Sequence, residues 1–291
     1  MWTSELVETE RGPIPYLSYG AATGDTVVCW HGFPDLPQTF TLLAERLVPR
    51  GWHVVAPYLR GMHPDYPPIA PYFDAGTRTL DGKAFLDALS PDAPLPVVGH
   101  DWGASLVHGL TAAFPERVTR AATMAVPPVA ALASHLFTPE QLQRSFYIWF
   151  FQMPGFPEMV LNTANGGQLF DHIWRTWSPD AAGAAHVPQV REALSNPAIV
   201  EAAINAYRAL FQDAYHDPEL AELRGQVVGP AQVPVLLLGG DEDGCLDAQA
   251  LRDATPHLPG GDVAIIPGTG HFLHLEQPDL VAERIDAWLR A

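Results

Sequence analysis

The sequence predicts an α/β protein: a mostly parallel eight-stranded sheet flanked by helices, with a helical segment inserted after the sixth strand. Three observations carry this. Short apolar runs recur without polar alternation, as strands covered on both faces require. Helix-like stretches separate them, which implies parallel pairing through right-handed crossovers. The alternation then stops for about a hundred residues in the middle of the chain and resumes afterwards.

The opening segment, Leu6 to Glu10 and then Ile14 to Tyr19, reads as a hairpin at the sheet edge. Val27 to Trp30, His53 to Ala56, Pro96 to Val98 and Ala121 to Val126 read as buried strands, and Val233 to Leu238 and Val263 to Ile266 complete the set. Helices are expected over Phe40–Leu47, Leu80–Leu89, Ala104–Phe114, Ala248–Thr255 and Leu280–Leu289. Residues 129–228 are helical in pattern, rich in Trp and Phe, and punctuated by Gly/Pro stretches such as Met153 to Pro157. They form a candidate lid on a core made of residues 1–128 and 229–291.

With 47% hydrophobic residues, 291 residues can bury a large core. Thirty-three acidic against sixteen basic residues give a net charge of −17, a surface that repels nucleic-acid phosphates and anionic membranes. Neither is an expected partner. Lys83 is the only lysine, and Asp81-Gly82-Lys83-Ala84 is not a phosphate-binding loop, so phosphate-loop and Schiff-base cofactor chemistry are poor readings. Cys29 and Cys245 are far apart, which excludes a disulfide scaffold; Cys29 reads as a small buried side chain. The amino terminus has three glutamates and no signal-type apolar region, and the most apolar window is too short to span a membrane. A soluble cytoplasmic protein with no cofactor and no metal is expected, and a homodimer is left open.

The most informative segment is Val97-Val98-Gly99-His100-Asp101-Trp102-Gly103. An apolar strand runs through Gly-x-Asp-x-Gly into a helix, a turn that lifts its central side chain above the sheet. That turn usually presents Ser; here it presents Asp101. A carboxylate is anionic at neutral pH and needs no base to attack a saturated electrophilic carbon. The resulting ester can be hydrolysed, whereas a serine would be left as a dead-end ether. The residue type therefore points to epoxides or alkyl halides.

His31-Gly32-Phe33-Pro34 follows the Val27–Trp30 strand, so the backbone N–H groups of Phe33 and Trp102 can form an oxyanion hole. His31 itself reads as structural. Gly268-Thr269-Gly270-His271 follows the last strand, and His271 at the loop tip is the candidate water activator, ahead of His274. Among Asp241, Glu242 and Asp243, which follow the seventh strand, Asp243 beside Gly244 is the candidate orienting acid. The other two read as solvated charges or turn caps. The alternative acid position, after the sixth strand, holds Pro127 and Pro128.

Together these motifs resemble the α/β-hydrolase superfamily over nearly the whole chain, with the nucleophile, acid and histidine in its order. The Asp nucleophile is similar to that of epoxide hydrolases and haloalkane or haloacetate dehalogenases. Ser145 to Gly155 resembles the epoxide-hydrolase lid pattern, which implies that Tyr147 polarises the epoxide oxygen. Ile204 to Arg208 resembles the site of the second lid tyrosine, Tyr207. Trp102, Phe33, Trp149 and Phe150 are expected to line the substrate site. Haloalkane dehalogenases use a Trp or Asn as second halide donor, for which position 33 is one candidate place. Haloacetate dehalogenases carry Arg after the nucleophile. Here those positions are Phe33 and Trp102, which favours hydrolysis of a small apolar or amphipathic epoxide. Dehalogenation and a non-catalytic ligand sensor on the same fold are the alternatives.

Overall fold

In the computed structural model, which describes residues 1–181 and 184–291, the chain builds one sheet of eight strands. They are β1 (Thr3–Thr9), β2 (Gly12–Tyr19), β3 (Asp25–Trp30), β4 (Trp52–Pro57), β5 (Leu95–His100), β6 (Val118–Met124), β7 (Val235–Gly240) and β8 (Asp262–Ile266). The order is β1-β2-β4-β3-β5-β6-β7-β8; β1 and β2 pair antiparallel at one edge and the other strands run parallel. The order reverses between β3 and β5, where open α/β sheets form a crevice at the strands' carboxyl ends.

The unbroken apolar runs follow from this layering. Val28, Val55, Val97, Ala121 and Leu237 face one apolar layer, while Val27, Val54, Val98, Ala122 and Leu236 face the other. Side chains alternate along a strand, so covering both faces demands apolar residues at consecutive positions. Helices α1 (Thr41–Leu47) and α14 (Pro278–Arg290) contribute to the second layer; α2 (Ala75–Leu89) and α3 (Trp102–Ala113) contribute to the first.

Several boundaries differ from expectation, and two have a local cause. Helix α2 begins at Ala75 rather than Leu80, because the Asp74 side chain caps it by accepting from the Thr77 N–H. Strand β6 ends at Met124, and Ala125 turns with φ 69° toward Val126.

Between β6 and β7 the described residues form helices and loops. The helices are α4 (Val129–Leu132), α5 (Pro139–Arg144), α6 (Phe146–Phe151), α7 (Phe156–Leu161), α8 (Ala164–Trp177), α9 (Val187–Ala193), α10 (Pro197–Arg208) and α11 (Ala221–Gln226). Residues 182 and 183 of the expected lid lie outside the described residues. The two short helices after β7 and β8 are α12 (Ala248–Arg252) and α13 (Leu273–Glu276). Among the described residues no helix is long and apolar enough to cross a membrane.

Candidate active site

Asp101 sits at the tip of the β5–α3 turn with φ 53°, a conformation a non-glycine residue adopts only when its surroundings enforce it. The enforcement is close packing. A Cβ on Gly99 would run into the Gly103 carbonyl, and one on Gly103 would run into the Trp30 carbonyl. The strand therefore enters, and the helix leaves, at a distance only glycine permits. Asp101 Oδ1 accepts the Phe33 N–H at 2.7 Å, so the resting carboxylate occupies half of the expected oxyanion hole. Trp102 opens α3, where backbone N–H groups have no helical acceptor.

The structure brings His271 and Asp243 together. His271 Nδ1 lies 3.0 Å from Asp243 Oδ2, and its Nε2 faces Asp101 Oδ2 at 3.5 Å without a hydrogen-bond partner. Asp243 is buried, its Oδ1 accepting the N–H groups of Cys245 and Leu246 at 2.6 and 3.1 Å. Asp241 accepts the Gly268 N–H in an exposed turn, and Glu242 is exposed. His274 lies deeper, bonded to Thr39 Oγ1 at 2.6 Å. His31 spends Nε2 on the Leu59 N–H at 3.1 Å, and burial lowers its pKa to about 4.

Burial opposes charge on His271, but the Asp243 carboxylate, aided by Cys245 and Asp101, outweighs it and holds the imidazole well above its ordinary pKa. Burial likewise pushes Asp101 up. The imidazole of His271 facing it, with His100 and the Phe33 N–H, outweighs that and keeps its carboxyl below the usual range. The two groups stabilise each other's ionised forms.

A cavity of about 310 Å³ opens over Asp101. Tyr147 and Tyr207 both line it, with ring centroids 5.3 Å apart. Each phenol is raised well above its ordinary pKa, by burial first and by nearby acidic groups that include Asp101. Both therefore stay protonated. The rest of the wall is mostly apolar: Val126, Pro127, Leu132, Leu136, Phe137 and Phe211 among others.

The structure brings Trp102 to this cavity but not Trp149, Phe150 or the Phe33 side chain. These three are corrections to the expected substrate wall. On α6, residues 147, 148 and 151 share the buried face; 149 and 150 fall on the other side of a 3.6-residue helix. Trp149 packs between Phe137 and Phe211, one layer behind the wall, and Phe150 packs on Phe151 and Phe156. The Phe33 ring sits among Tyr147, Phe151, Phe170, Trp177 and Tyr207 and borders only a smaller cavity of about 30 Å³. Lys83 is far from this chemistry, paired with Asp87 at 2.5 Å.

Four contributions were not read from the sequence. Cys245 places its Sγ 3.5 Å from the Tyr147 hydroxyl. Asp243, Cys245 and His271 offer three donor atoms within 4.8 Å of one another. However, Asp243 and His271 are bonded together, and burial raises the thiol's pKa, so the set fits a hydrogen-bonded triad better than a metal. Trp177 and Ser178, at the end of α8, hold the histidine loop: the Trp177 carbonyl accepts the His271 N–H at 2.9 Å, and Ser178 Oγ accepts the Phe272 N–H at 2.7 Å. Arg78 reaches the cavity from α2. None has a local motif; each depends on where distant elements meet.

A family model described as alpha/beta hydrolase fold matches residues 25–278. The chain is 25% identical to the AB hydrolase superfamily protein YfhM of Bacillus subtilis over 98% of this chain and 97% of that protein. It is 26% identical to Epoxide hydrolase 3 of Mus musculus, over 94% of this chain and 73% of the mouse protein. Among solved structures, Epoxide Hydrolase A from Mycobacterium thermoresistibile aligns with a TM-score of 0.81 at 24% identity, covering 100% of this chain and 99% of that one.

Proposed function

The chain belongs to the α/β-hydrolase fold family, and from that premise we propose that it is an epoxide hydrolase working through an ester on Asp101. The observation that carries this reading is the pair of buried, protonated phenols, Tyr147 and Tyr207, on the cavity over a carboxylate at the elbow. Curated relatives named epoxide hydrolases support it.

With Oδ1 held by Phe33, Oδ2 is the free oxygen. It attacks an epoxide carbon; a C–O bond forms to Asp101 and the ring C–O bond breaks. The departing alkoxide takes a proton from Tyr147 or Tyr207, which hold the same oxygen. Ester formation then removes the negative charge that helped keep His271 protonated. The imidazole gives that proton up to restore the phenol that ring opening deprotonated, and becomes a base at the stage that needs one. Water, deprotonated at His271 Nε2, adds to the ester carbonyl carbon. The Phe33 and Trp102 N–H groups stabilise the oxyanion; its collapse breaks the ester C–O bond, the departing alkoxide takes the proton from His271 to complete the vicinal diol, and the Asp101 carboxyl then returns its proton to His271. Asp243 orients the imidazole throughout. The helical segment 129–228 acts as the lid that supplies both phenols.

Incubation with styrene oxide and a panel of other epoxides tests the reading by diol formation. Halide release from haloalkanes with no diol from any epoxide would contradict it. A second reading, haloacetate dehalogenation, draws on one observation: a guanidinium, that of Arg78, lies against the ring of Trp102, the residue after the nucleophile. A sensor would keep ligand binding in Asp101→Ala and show no turnover in the native chain.

A further inference from the structure

Arg78 is buried, 7% exposed, on the wall of the cavity that holds Asp101. Its guanidinium carbon lies 3.9 Å from the centre of the Trp102 ring. Among the described residues its side chain has no ion pair and no hydrogen bond, and Nη1 is sealed from solvent without a partner. The nearby acids are committed elsewhere. Asp74 bonds Thr77 and the Asp217 N–H, Asp81 pairs with Arg11 and Arg60, and Asp101 is engaged by Phe33 and His271. Burial lowers the Arg78 pKa to about 10, against the pull of Asp74, Tyr207 and Asp101, so it remains a cation at neutral pH.

A buried cation without a counter-ion is costly, and the indole face offsets only part of that cost. The indole Nε1 of Trp102 is also buried without a hydrogen-bond partner, but it sits against the Tyr207 phenol and is not counted with the guanidinium. A mostly apolar cavity with an unmatched guanidinium in its wall is complementary to an organic anion.

We propose that Arg78 is a carboxylate-binding subsite, and that the preferred substrates are epoxides carrying one carboxylate. The epoxide half of this statement rests on the function proposed above. A single guanidinium balances one negative charge and grips a carboxylate through two parallel N–H bonds, whereas a dianion would leave charge unmatched. This narrows the expected small apolar or amphipathic epoxide to an amphipathic one.

Two measurements separate the halves. The first titrates phenylacetate against the native chain, Arg78→Met and Arg78→Lys, following the melting temperature. Saturable stabilisation of the native chain is expected, lost in R78M and weakened about tenfold in affinity in R78K, which keeps the charge but not the fork. Equal stabilisation of native and R78M, or none of the native chain, overturns the subsite. Removing an unmatched buried charge should leave unliganded R78M at least as stable as native; if it nonetheless fails to fold, R78K decides. The second compares 3-phenylglycidate with its methyl ester. The native chain should favour the acid in kcat/KM by about tenfold or more, and R78M should reduce that ratio at least tenfold. An unchanged ratio overturns the subsite while leaving epoxide hydrolysis standing. Arg78-dependent phenylacetate binding without conversion of any epoxide, styrene oxide included, sinks the epoxide reading and leaves the anion site. Halide released from chloroacetate in that case assigns the site to a haloacid.

Discussion

Nε2 of His271 lies 3.5 Å from Oδ2 of Asp101, and neither atom is bonded to anything else that would hold it there. The other end of each group is fixed: Asp101 Oδ1 by the Phe33 N–H and His271 Nδ1 by Asp243. The pair leaves one carboxylate oxygen free toward the cavity and one imidazole nitrogen beside it. The proposed attack by Asp101 and the later hydrolysis of its ester both require that arrangement.

Asp101 has its seat because residue 32 is glycine. A Cβ there would collide with the Asp101 side chain. Gly32→Ala should lower kcat by about 100-fold or more, because it moves the nucleophile or the Phe33 donor. Steady-state diol formation, read beside a melting curve, distinguishes this from general unfolding.

In the proposed mechanism the two phenols act only while the ring opens. Tyr147→Phe and Tyr207→Phe should each slow alkylation of Asp101 by about 100-fold, and the double variant should abolish it. Rapid-quench single turnovers will show whether ester hydrolysis keeps its rate. A phenol variant that slows hydrolysis instead would mean the tyrosines serve the water.

Trp174 lies flat on Phe272, with ring centroids 3.8 Å apart, next to the histidine loop. Both side chains are fully buried. Trp174→Ala should cost about 3–5 kcal/mol in denaturant unfolding and lower turnover as well, since it loosens the support of His271. A loss of stability without any loss of turnover would separate the helical segment from the chemistry.

His186 pairs with Asp35 at 2.9 Å, tying the helical segment to the His31–Asp35 loop. Burial disfavours its charge, but the Asp35 carboxylate prevails and raises its pKa above 6.5. The stabilisation is therefore complete below about pH 6.5 and fades as pH rises through the higher folded value. The melting-temperature gap between native and His186→Gln should be larger at about pH 5.5 than at about pH 8.5. A gap that grows with pH would reverse the assignment.

The parts legible in the sequence were those with local signals. Unalternated apolar runs marked β3 to β8, since a doubly covered strand leaves no polar positions. Gly99 and Gly103 marked the elbow because their backbones pass too close for a side chain. Glycine flanks placed His271. Less was readable where phase or distance decides. Trp149 and Phe150 share a segment with Tyr147, but only the start of α6 at Phe146 fixes which face turns inward. Poor helix formers at Gly76, Thr77 and Thr79 hid the first turn of α2 and with it Arg78. An arginine on a weak helical pattern reads as solvated, and its burial against Trp102 is a fact of tertiary packing alone.

The central claim is that Asp101 carries the substrate as an ester that His271 clears. The direct measurement is the intact mass of His271→Ala after brief exposure to styrene oxide, followed by peptide mapping. The account predicts a stoichiometric gain equal to one whole epoxide, because ring opening expels no leaving group, with the modification on Asp101 and no gain in Asp101→Ala. An unmodified chain, or an adduct on any other residue, would contradict it.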